Sequence, residues 1–215
     1  MQSPYDWKNV EITGRSLVSG YTDSTTNGAA HIELVARGGT HTSRLPCKGT
    51  GYHANLYVTG RSKFEKELEH TAGYATNNPQ KTGAVSPLKG KWIGFKQAIH
   101  TVPSGMKVEQ WYQEYVNGQW TSWKKIFEYP DKGSWGGGNP KYGGTSPYGT
   151  SYKLISWGGP LVFFRWDNID KMYIKHLSIR DFTKLKSDGM KNRFSTLYFT
   201  GINICCYFHI LKMEC

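Results

Sequence analysis

The chain has 215 residues, a length that all-β sandwiches often use as a single domain. Its 27 Lys and Arg residues outnumber its 16 Asp and Glu residues, which gives a net charge of +11. A hydrophobic content of 38% and an aromatic content of 14% exclude a disordered chain. No apolar run reaches the roughly 18 residues of a membrane span. The composition therefore predicts a folded, basic, aromatic-rich domain that attracts polyanions.

Short alternating segments separated by Gly, Pro, Asn and Ser clusters predict strands along most of the chain. The expected strands are Lys8–Thr13, His31–Arg37, Asn55–Thr59, Trp92–Val102, Val108–Val116, Trp120–Tyr129, Leu154–Trp157, Leu161–Trp166 and Tyr173–Asp181. Asn117 and Gly118 tolerate positive φ at both central turn positions, so they predict a tight hairpin. Many strands and few helical patterns predict an all-β, two-sheet antiparallel β-sandwich or jelly roll.

The segment Arg61–His70 is ambiguous. Its good helix formers favour a helix, in which Phe64 and Leu68 share a face at i,i+4 spacing. As a strand it places Phe64, Lys66, Leu68 and His70 on the core side, and Glu65, Glu67 and Glu69 on the other. Local propensity favours the helix and the surrounding β pattern favours the strand, so both interpretations stay open.

Two further segments set the expected boundaries of the domain. The Gly- and Pro-rich stretch Asp131–Pro160 predicts a long ordered loop, which is more often functional than idle. From Thr183 onward a basic, polar stretch leads into the apolar run Leu197–Leu211, which shows no alternation. We therefore expect one domain over residues 1–182 and a tail of unknown role over residues 183–215.

The cysteines and the first residues say little about location. No C-x-x-C pair occurs, so a zinc knuckle is not expected. Met1–Trp7 lacks the apolar core of a secretory leader. The residues therefore do not settle the compartment, and an extracellular location is the working prediction.

Several motifs between Trp7 and Asp181 resemble those of a little-characterised group of concanavalin A-like jelly-roll proteins. They are Trp7-Lys-Asn-Val-Glu-Ile-Thr-Gly14, Arg37-Gly-Gly-Thr-His-Thr42, Lys66-Glu67 with His70, Lys91-Trp-Ile-Gly-Phe-Lys96, Trp157-Gly-Gly-Pro160, Phe164-Arg-Trp-Asp-Asn168 and Ile174-Lys-His-Leu-Ser-Ile-Arg-Asp181. That superfamily includes lectins, laminarinase-type glycosidases and alginate or glucuronan lyases. The resemblance implies a curved sheet whose outer face forms a concave groove for a polysaccharide. It also implies a disulfide from Cys47 to the Gly-rich loop, which has no cysteine here.

Alternation along the groove strands selects residues for a uronate lyase. Such an enzyme needs a cation to neutralise the substrate carboxylate and a base to remove the neighbouring proton. We predict that Arg37 and Lys96 neutralise the carboxylate and that His41 or His70 accepts the proton. Lys66 and Glu67 would orient that base. Using Lys66 and His70 together with Glu67 requires a bulge or a helical turn, because strict alternation sends Lys66 and His70 to the core side. The leading hypothesis is therefore a polysaccharide lyase that cleaves an acidic glycan by β-elimination.

Aromatic side chains complete the expected binding groove. Sugar rings stack on flat aromatic faces while their hydroxyl groups stay hydrated. We predict that the substrate contacts Trp92, His100, Trp111 and Trp135. A sandwich core consumes aromatic residues too, so a structural role is the competing interpretation.

Other functions remain open at this point. Glu65, Glu67 and Glu69 are similar in spacing to the acidic strand of laminarinases, so a retaining glycosidase using Glu65 and Glu69 is an alternative. A non-catalytic lectin or carbohydrate-binding domain is another. Nucleic acid is a weaker partner, because Lys and Arg are scattered rather than clustered in runs.

A metal ion is left unassigned. The superfamily admits a structural calcium ion, for which Asp167 and Asp170 could supply oxygens. A turn explains that Asp/Asn cluster equally well, and no other cofactor is expected.

Overall fold

The computed structural model describes residues 7–22, 29–39, 49–70, 73–136 and 153–181, together with two short strands at 195–197 and 208–210. The part of the chain that it describes is all-β. Its strands are β1 Val10–Gly20, β2 His31–Gly38, β3 Gly51–Tyr57, β4 Ser62–Glu67, β5 Gln80–Lys81, β6 Trp92–Val102, β7 Gly105–Val116, β8 Gln119–Trp120, β9 Lys124–Asp131, β10 Leu161–Asp167, β11 Lys171–Asp181, β12 Ser195–Leu197 and β13 Phe208–Ile210.

These strands form two antiparallel sheets. Sheet I has the order β12-β11-β1-β6-β7-β8, with β9 also paired to β7. Sheet II has the order β13-β10-β2-β3-β4-β5. Because β2 and β6 belong to different sheets, the two strands that carry most of the predicted groove residues do not lie side by side.

The two sheets pack face to face around one apolar core, which gives the fold its β-sandwich character. Alternation along β1 buries Val10, Ile12 and Val18, and Ile32 and Leu34 alternate in the same way on β2. The core joins side chains of both sheets, and each sheet therefore keeps one outer face. A functional site on this fold must lie on an outer face or at an end of the sandwich.

Several expected strands are observed with shifted ends. Trp92–Val102 has the bounds that were predicted, whereas the expected Lys8–Thr13 continues to Gly20 and the expected Asn55–Thr59 begins at Gly51. The expected Trp120–Tyr129 is divided between β8 and β9. The strand expected at Leu154–Trp157 is wrong, since these residues are described and form no strand.

The hairpin prediction is confirmed. Asn117 has a φ of 50° and Gly118 a φ of 81°, and the turn brings Val116 opposite Gln119. Both positive values match the turn chemistry that the Asn-Gly pair favours.

The ambiguous segment is a strand, so the locally favoured helix is wrong. Each residue from Ser62 to Glu67 pairs with β3, with Phe64 opposite Ala54. The long-range ladder and the burial of Phe64 outweigh the helical propensity of the local sequence. The strand ends at Glu67, and the chain turns over the next three residues.

Two strands lie beyond the expected domain boundary. Strand β12 pairs with β11, and strand β13 pairs with β10. The separate role predicted for residues 183–215 stays a prediction. Among the described residues, no helix is long and apolar enough to cross a membrane.

Candidate functional sites

The structure divides the predicted site residues among three places. Arg37, Lys66 and Trp135 are buried between the sheets, and Glu67 and His70 belong to the outer side of sheet II. The outer face of sheet I carries Trp92, Lys96, His100 and Trp111. His41 lies outside the described residues, as do Cys47 and most of the Gly-rich loop. The predicted lyase residues therefore do not share one site.

Arg37 was expected on the groove face and is instead fully buried. Its φ of 58° breaks the alternation of β2 and turns the side chain toward sheet I. The guanidinium donates hydrogen bonds to the Ile155 carbonyl at 2.7 Å and to Thr101 Oγ1 at 3.1 Å. Desolvation lowers the pKa of Arg37 to about 10. Arg37 therefore links the two sheets and does not face a substrate on either outer surface.

Lys66 and Trp135 also belong to the interior. Lys66 Nζ lies 2.9 Å from Asp131 Oδ2 and donates to the Trp135 carbonyl, and Tyr52 OH donates to the same Asp131 oxygen at 2.8 Å. Trp135, expected as a sugar platform, is 1% exposed. Strict alternation sends Lys66 inward, so the interior position follows from the strand assignment.

The outer face of sheet II carries a buried charge cluster that we call the Glu33–His53–Glu67 cluster. His53 Nδ1 contacts Glu33 Oε1, and His53 Nε2 lies 3.2 Å from Glu67 Oε2. The side chains are at most 3% exposed. His70 lies in the turn after β4, and its Nδ1 is 3.4 Å from Glu67 Oε1. The predicted pairing of Glu67 with His70 is thus present, but a second histidine lies between two carboxylates.

Electrostatics fix the charges of this cluster. Burial opposes charging of His53, but Glu33 and Glu67 outweigh it and raise the pKa of His53 to about 10. Burial raises the pKa of Glu33, but His53 and then Arg165 outweigh that effect and leave it lowered. At neutral pH the cluster therefore holds an imidazolium between carboxylates.

More accessible groups surround the cluster. Arg165 Nε lies 2.7 Å from Glu33 Oε2, and the Tyr74 and His53 ring centroids are 5.4 Å apart. Asn55 Nδ2 donates to Glu65 Oε2 at 3.1 Å. Glu65, Arg165 and Tyr74 are each at least one-fifth exposed, so a ligand could reach them. Burial, then Glu67 and Glu33, raises the pKa of Tyr74 and keeps its hydroxyl protonated.

Two groups of side chains on this face have the composition of a cation site. Ligand atoms of Glu33, His53 and Glu65 lie within 4.8 Å of one another, as do those of His31, Glu33 and Asp167. Three cations already contact these carboxylates: His53, Arg165 and Lys63. Asp170, considered for calcium, accepts hydrogen bonds from Thr22 Oγ1 at 3.0 and 3.1 Å. We therefore assign no metal ligand.

The outer face of sheet I differs from that of sheet II in its aromatic content. Its rings and cations alternate, and we call them the aromatic–cationic face: Arg15, Trp92, Lys96, Trp111, Trp120, Trp123 and Lys175. Lys175 Nζ lies 3.9 Å from the Trp92 ring centroid, and Lys96 Nζ lies 4.5 Å from that of Trp123. The expected substrate-binding residue His100 lies on this sheet face too, 3.7 Å from Glu109.

Sequence reasoning missed Glu33, His53 and Arg165. The alternation could have identified Glu33, because Leu34 and Ala36 were placed in the core and Glu33 lies on the opposite face of the same strand. His53 was missed because the predicted strand began at Asn55, four residues after the observed start at Gly51. Arg15 and Lys175 lacked a signal in the sequence, since only the pairing of β1 with β11 brings them together.

Comparisons with known proteins give no family. No protein-family model matches the chain, and no curated protein matches it significantly. Among solved structures, the full-length tailspike protein 2 of Escherichia coli O157:H7 bacteriophage CAB120 is similar, with a TM-score of 0.37 and 9% identity. The match covers 84% of this chain and 21% of that one, so the chain spans about a fifth of the tailspike's length. So distant a likeness does not bear on the function.

Proposed function

We propose that this protein hydrolyses glycosidic bonds of a polysaccharide at the outer face of sheet II, with Glu33 and Glu65 as the reacting carboxyl groups. One observation carries the proposal: a carboxylate oxygen of Glu33 and one of Glu65 lie within 4.8 Å of each other. Retaining glycosidases need two carboxyl groups about 5–5.5 Å apart. The jelly-roll arrangement and the polysaccharide substrate come from the sequence resemblance and are part of the same proposal.

The surroundings of the two carboxyl groups suit different roles. Glu33 is kept ionised by His53 and Arg165, as a nucleophile must be. Its side chain is 3% exposed, so Arg165 has to move aside before a sugar can reach it. Glu65 is 21% exposed, which leaves it accessible to a leaving group and to water. In this scheme substrate binding displaces Lys63 from Glu65. The protonated Glu65 then gives its proton to the leaving oxygen as the glycosidic bond breaks, while Glu33 bonds to the sugar carbon. Glu65 then takes a proton from the water that releases the product.

Burial of the charges supports a functional role. Placing an imidazolium and two carboxylates in a desolvated site costs several kcal/mol per ion before their attraction is counted. Apolar side chains at the same positions would be buried without that desolvation cost. Perturbed titratable groups that are held together on one face are typical of active sites.

A second candidate, β-elimination of a uronate, rests on a different observation. Arg165 and Tyr74 are partly exposed beside His53, and Asn55 lies two residues from His53 on the same face of β3. Arg165 would neutralise the substrate carboxylate, Glu65 would accept the proton, and Tyr74 would protonate the leaving oxygen. We rank this lyase second because three glutamates near the site repel an acidic substrate.

Product analysis separates the candidates. The protein is incubated with β-glucans, alginate, glucuronan and pectate, and both reducing ends and ultraviolet absorbance are followed. New reducing ends without absorbance support hydrolysis, and growing absorbance supports elimination. Binding without any products would overturn both hydrolysis and elimination and would favour the lectin alternative.

Variants then test the residues. We expect Glu65→Gln to lower the rate by about 100-fold or more, as loss of a general acid does. Glu128→Gln removes an exposed glutamate of β9 and serves as the matched control. Full activity in Glu65→Gln would show that the assignment is wrong. Circular dichroism confirms that each variant is folded.

A further inference from the structure

We propose that the aromatic–cationic face is a separate binding surface for an acidic polysaccharide, independent of the centre on sheet II. The two sheets pack through their inner faces, so this surface lies on the opposite side of the sandwich from Glu33 and Glu65. A chain bound there is held and not cleaved. The inference therefore goes beyond the proposed hydrolysis.

Strand pairing builds the centre of this surface. Arg15 of β1 lies opposite Lys175 of β11 on one side and opposite Gly94 of β6 on the other. The Arg15 guanidinium carbon is 4.2 Å from the Trp120 ring centroid, and Lys175 Nζ is 5.8 Å from the same centroid. Two cations and one indole therefore meet at a single point of the sheet.

The glycine at that point makes room for further aromatic contact. A Cβ atom on Gly94 would lie 2.9 Å from Trp123 Cη2 and 2.5 Å from Gln113 Cγ. The absence of a side chain thus allows both residues to pack closely over β6. Gln113 Nε2 is buried and has no hydrogen-bond partner among the described residues. A buried donor without an acceptor is costly, and a ligand oxygen would satisfy it only when the side chains that cover it move aside.

The charge at this centre is not neutralised by the part of the chain that the structure describes. Among the residues that the structure describes, no carboxylate forms an ion pair with Arg15 or Lys175. Lys96 differs, because it lies 3.2 Å from Glu11 Oε2. Desolvation, then Arg15 and Lys175, lowers the pKa of His176, which accepts a hydrogen bond from Arg15 at 3.0 Å. The positive potential is therefore available to an external anion.

The chemistry of the surface selects the ligand. Indole rings pack against the C–H groups of sugar rings, and the cations between them can bind carboxylate or sulfate groups. The centre has two cations without a carboxylate partner among the described residues, Arg15 and Lys175, and they lie beside one another. One acidic group of a glycan, in which such groups are spaced along the chain, can bind at this single point, whereas a phosphodiester chain carries a charge at each nucleotide and suits a longer row of cations. We therefore infer a uronate-containing or sulfated polysaccharide.

Binding to polygalacturonate and alginate, measured by calorimetry and by affinity electrophoresis, tests the inference. The double variant Arg15→Gln/Lys175→Gln is expected to bind at least about tenfold more weakly, a loss of about 1.4 kcal/mol. Lys132→Gln/Lys153→Gln removes the same charge from exposed lysines outside the surface and is expected to bind like the unmodified protein. Binding by the unmodified protein is expected to weaken as salt rises.

Each other outcome overturns the inference. Unchanged binding in the Arg15/Lys175 double variant places the ligand elsewhere. A neutral β-glucan that binds as tightly as the acidic glycans, independently of salt, would contradict the charge argument. Selective binding of single-stranded DNA would show that the ligand is a nucleic acid. Trp120→Ala provides a second variant, expected to weaken binding without changing the net charge. Glu65→Gln is expected to bind acidic glycan normally, so failure of the hydrolysis proposal and failure of this inference can be told apart.

Discussion

The imidazole of His53 determines the charge balance of the outer face of sheet II. Both of its nitrogens face carboxylates, Glu33 on one side and Glu67 on the other. Arg165 contacts Glu33 from β10, and Tyr74 packs beside the imidazole. A neutral side chain at this position would leave two buried carboxylates without their shared cation.

The raised pKa of His53 predicts a loss of stability in alkali. Its ordinary value of 6.5 applies to the unfolded chain, and its value in the fold is about 10. The stabilisation is therefore complete below about pH 6.5 and is lost as the pH rises through about 10. Urea unfolding measured from pH 6 to pH 10 is expected to show this decline. His53→Gln should lack it and should be less stable at neutral pH, whereas equal slopes in the two proteins would contradict the assignment.

The ion pair of Lys66 and Asp131 makes a second prediction at the residue scale. The pair joins β4 of sheet II to β9 of sheet I, with both side chains fully buried. Lys66→Met leaves a buried carboxylate unpaired, so we expect a loss of about 3–5 kcal/mol in the free energy of unfolding. Lys66→Met/Asp131→Leu removes both charges and should recover part of that loss. Strictly additive effects in urea unfolding would show that the two groups are not coupled.

Among the elements, the β7–β8 hairpin shows how far local chemistry determines this fold. Gly118 has a φ of 81°, and a Cβ atom there would meet nothing within 4 Å. The cost of Gly118→Ala therefore comes from the backbone alone, and we expect about 1–2 kcal/mol. Gly20→Ala is the control, because Gly20 does not have positive φ and its nearest neighbour would lie 3.6 Å away. Equal stability of the two variants in urea would contradict the argument.

Prediction from sequence succeeded where the determinants are local. The Asn117-Gly118 turn and the bounds of β6 follow from turn chemistry and alternation. Arg37 could not be placed, because its left-handed φ reverses the side chain within a regular alternating pattern. The candidate sites could not be assembled, because alternation assigns a residue to a face but does not say which sheet its strand joins. Lys96 and Glu67 were predicted to share a site, but their strands belong to different sheets.

At the scale of the whole molecule, the two outer faces divide the chemistry of the chain. Four carboxylates, those of Glu33, Glu65, Glu67 and Asp167, gather on sheet II. Sheet I carries glutamates as well, but Glu11 and Glu109 contact lysines, and among the described residues no carboxylate forms an ion pair with Arg15 or Lys175. The net charge of +11 therefore says little about the substrate of the proposed centre. It bears on what the opposite face attracts from a distance.

The boundary expected near residue 182 gives the last prediction. Among the residues whose side chains the structure describes, the apolar core ends at Ile179, so we expect a chain ending at residue 182 to retain the tryptophan environment of the full chain. It would lose β12 and β13, which pair with the last long strand of each sheet. Uncovered edges of β10 and β11 promote edge-to-edge pairing between molecules. We expect near-ultraviolet circular dichroism to be preserved and light scattering to show more association than for the full chain. Removal of two short edge strands alone should leave the core intact. Loss of the tryptophan signal would therefore show that residues 183–215 are part of the folding unit.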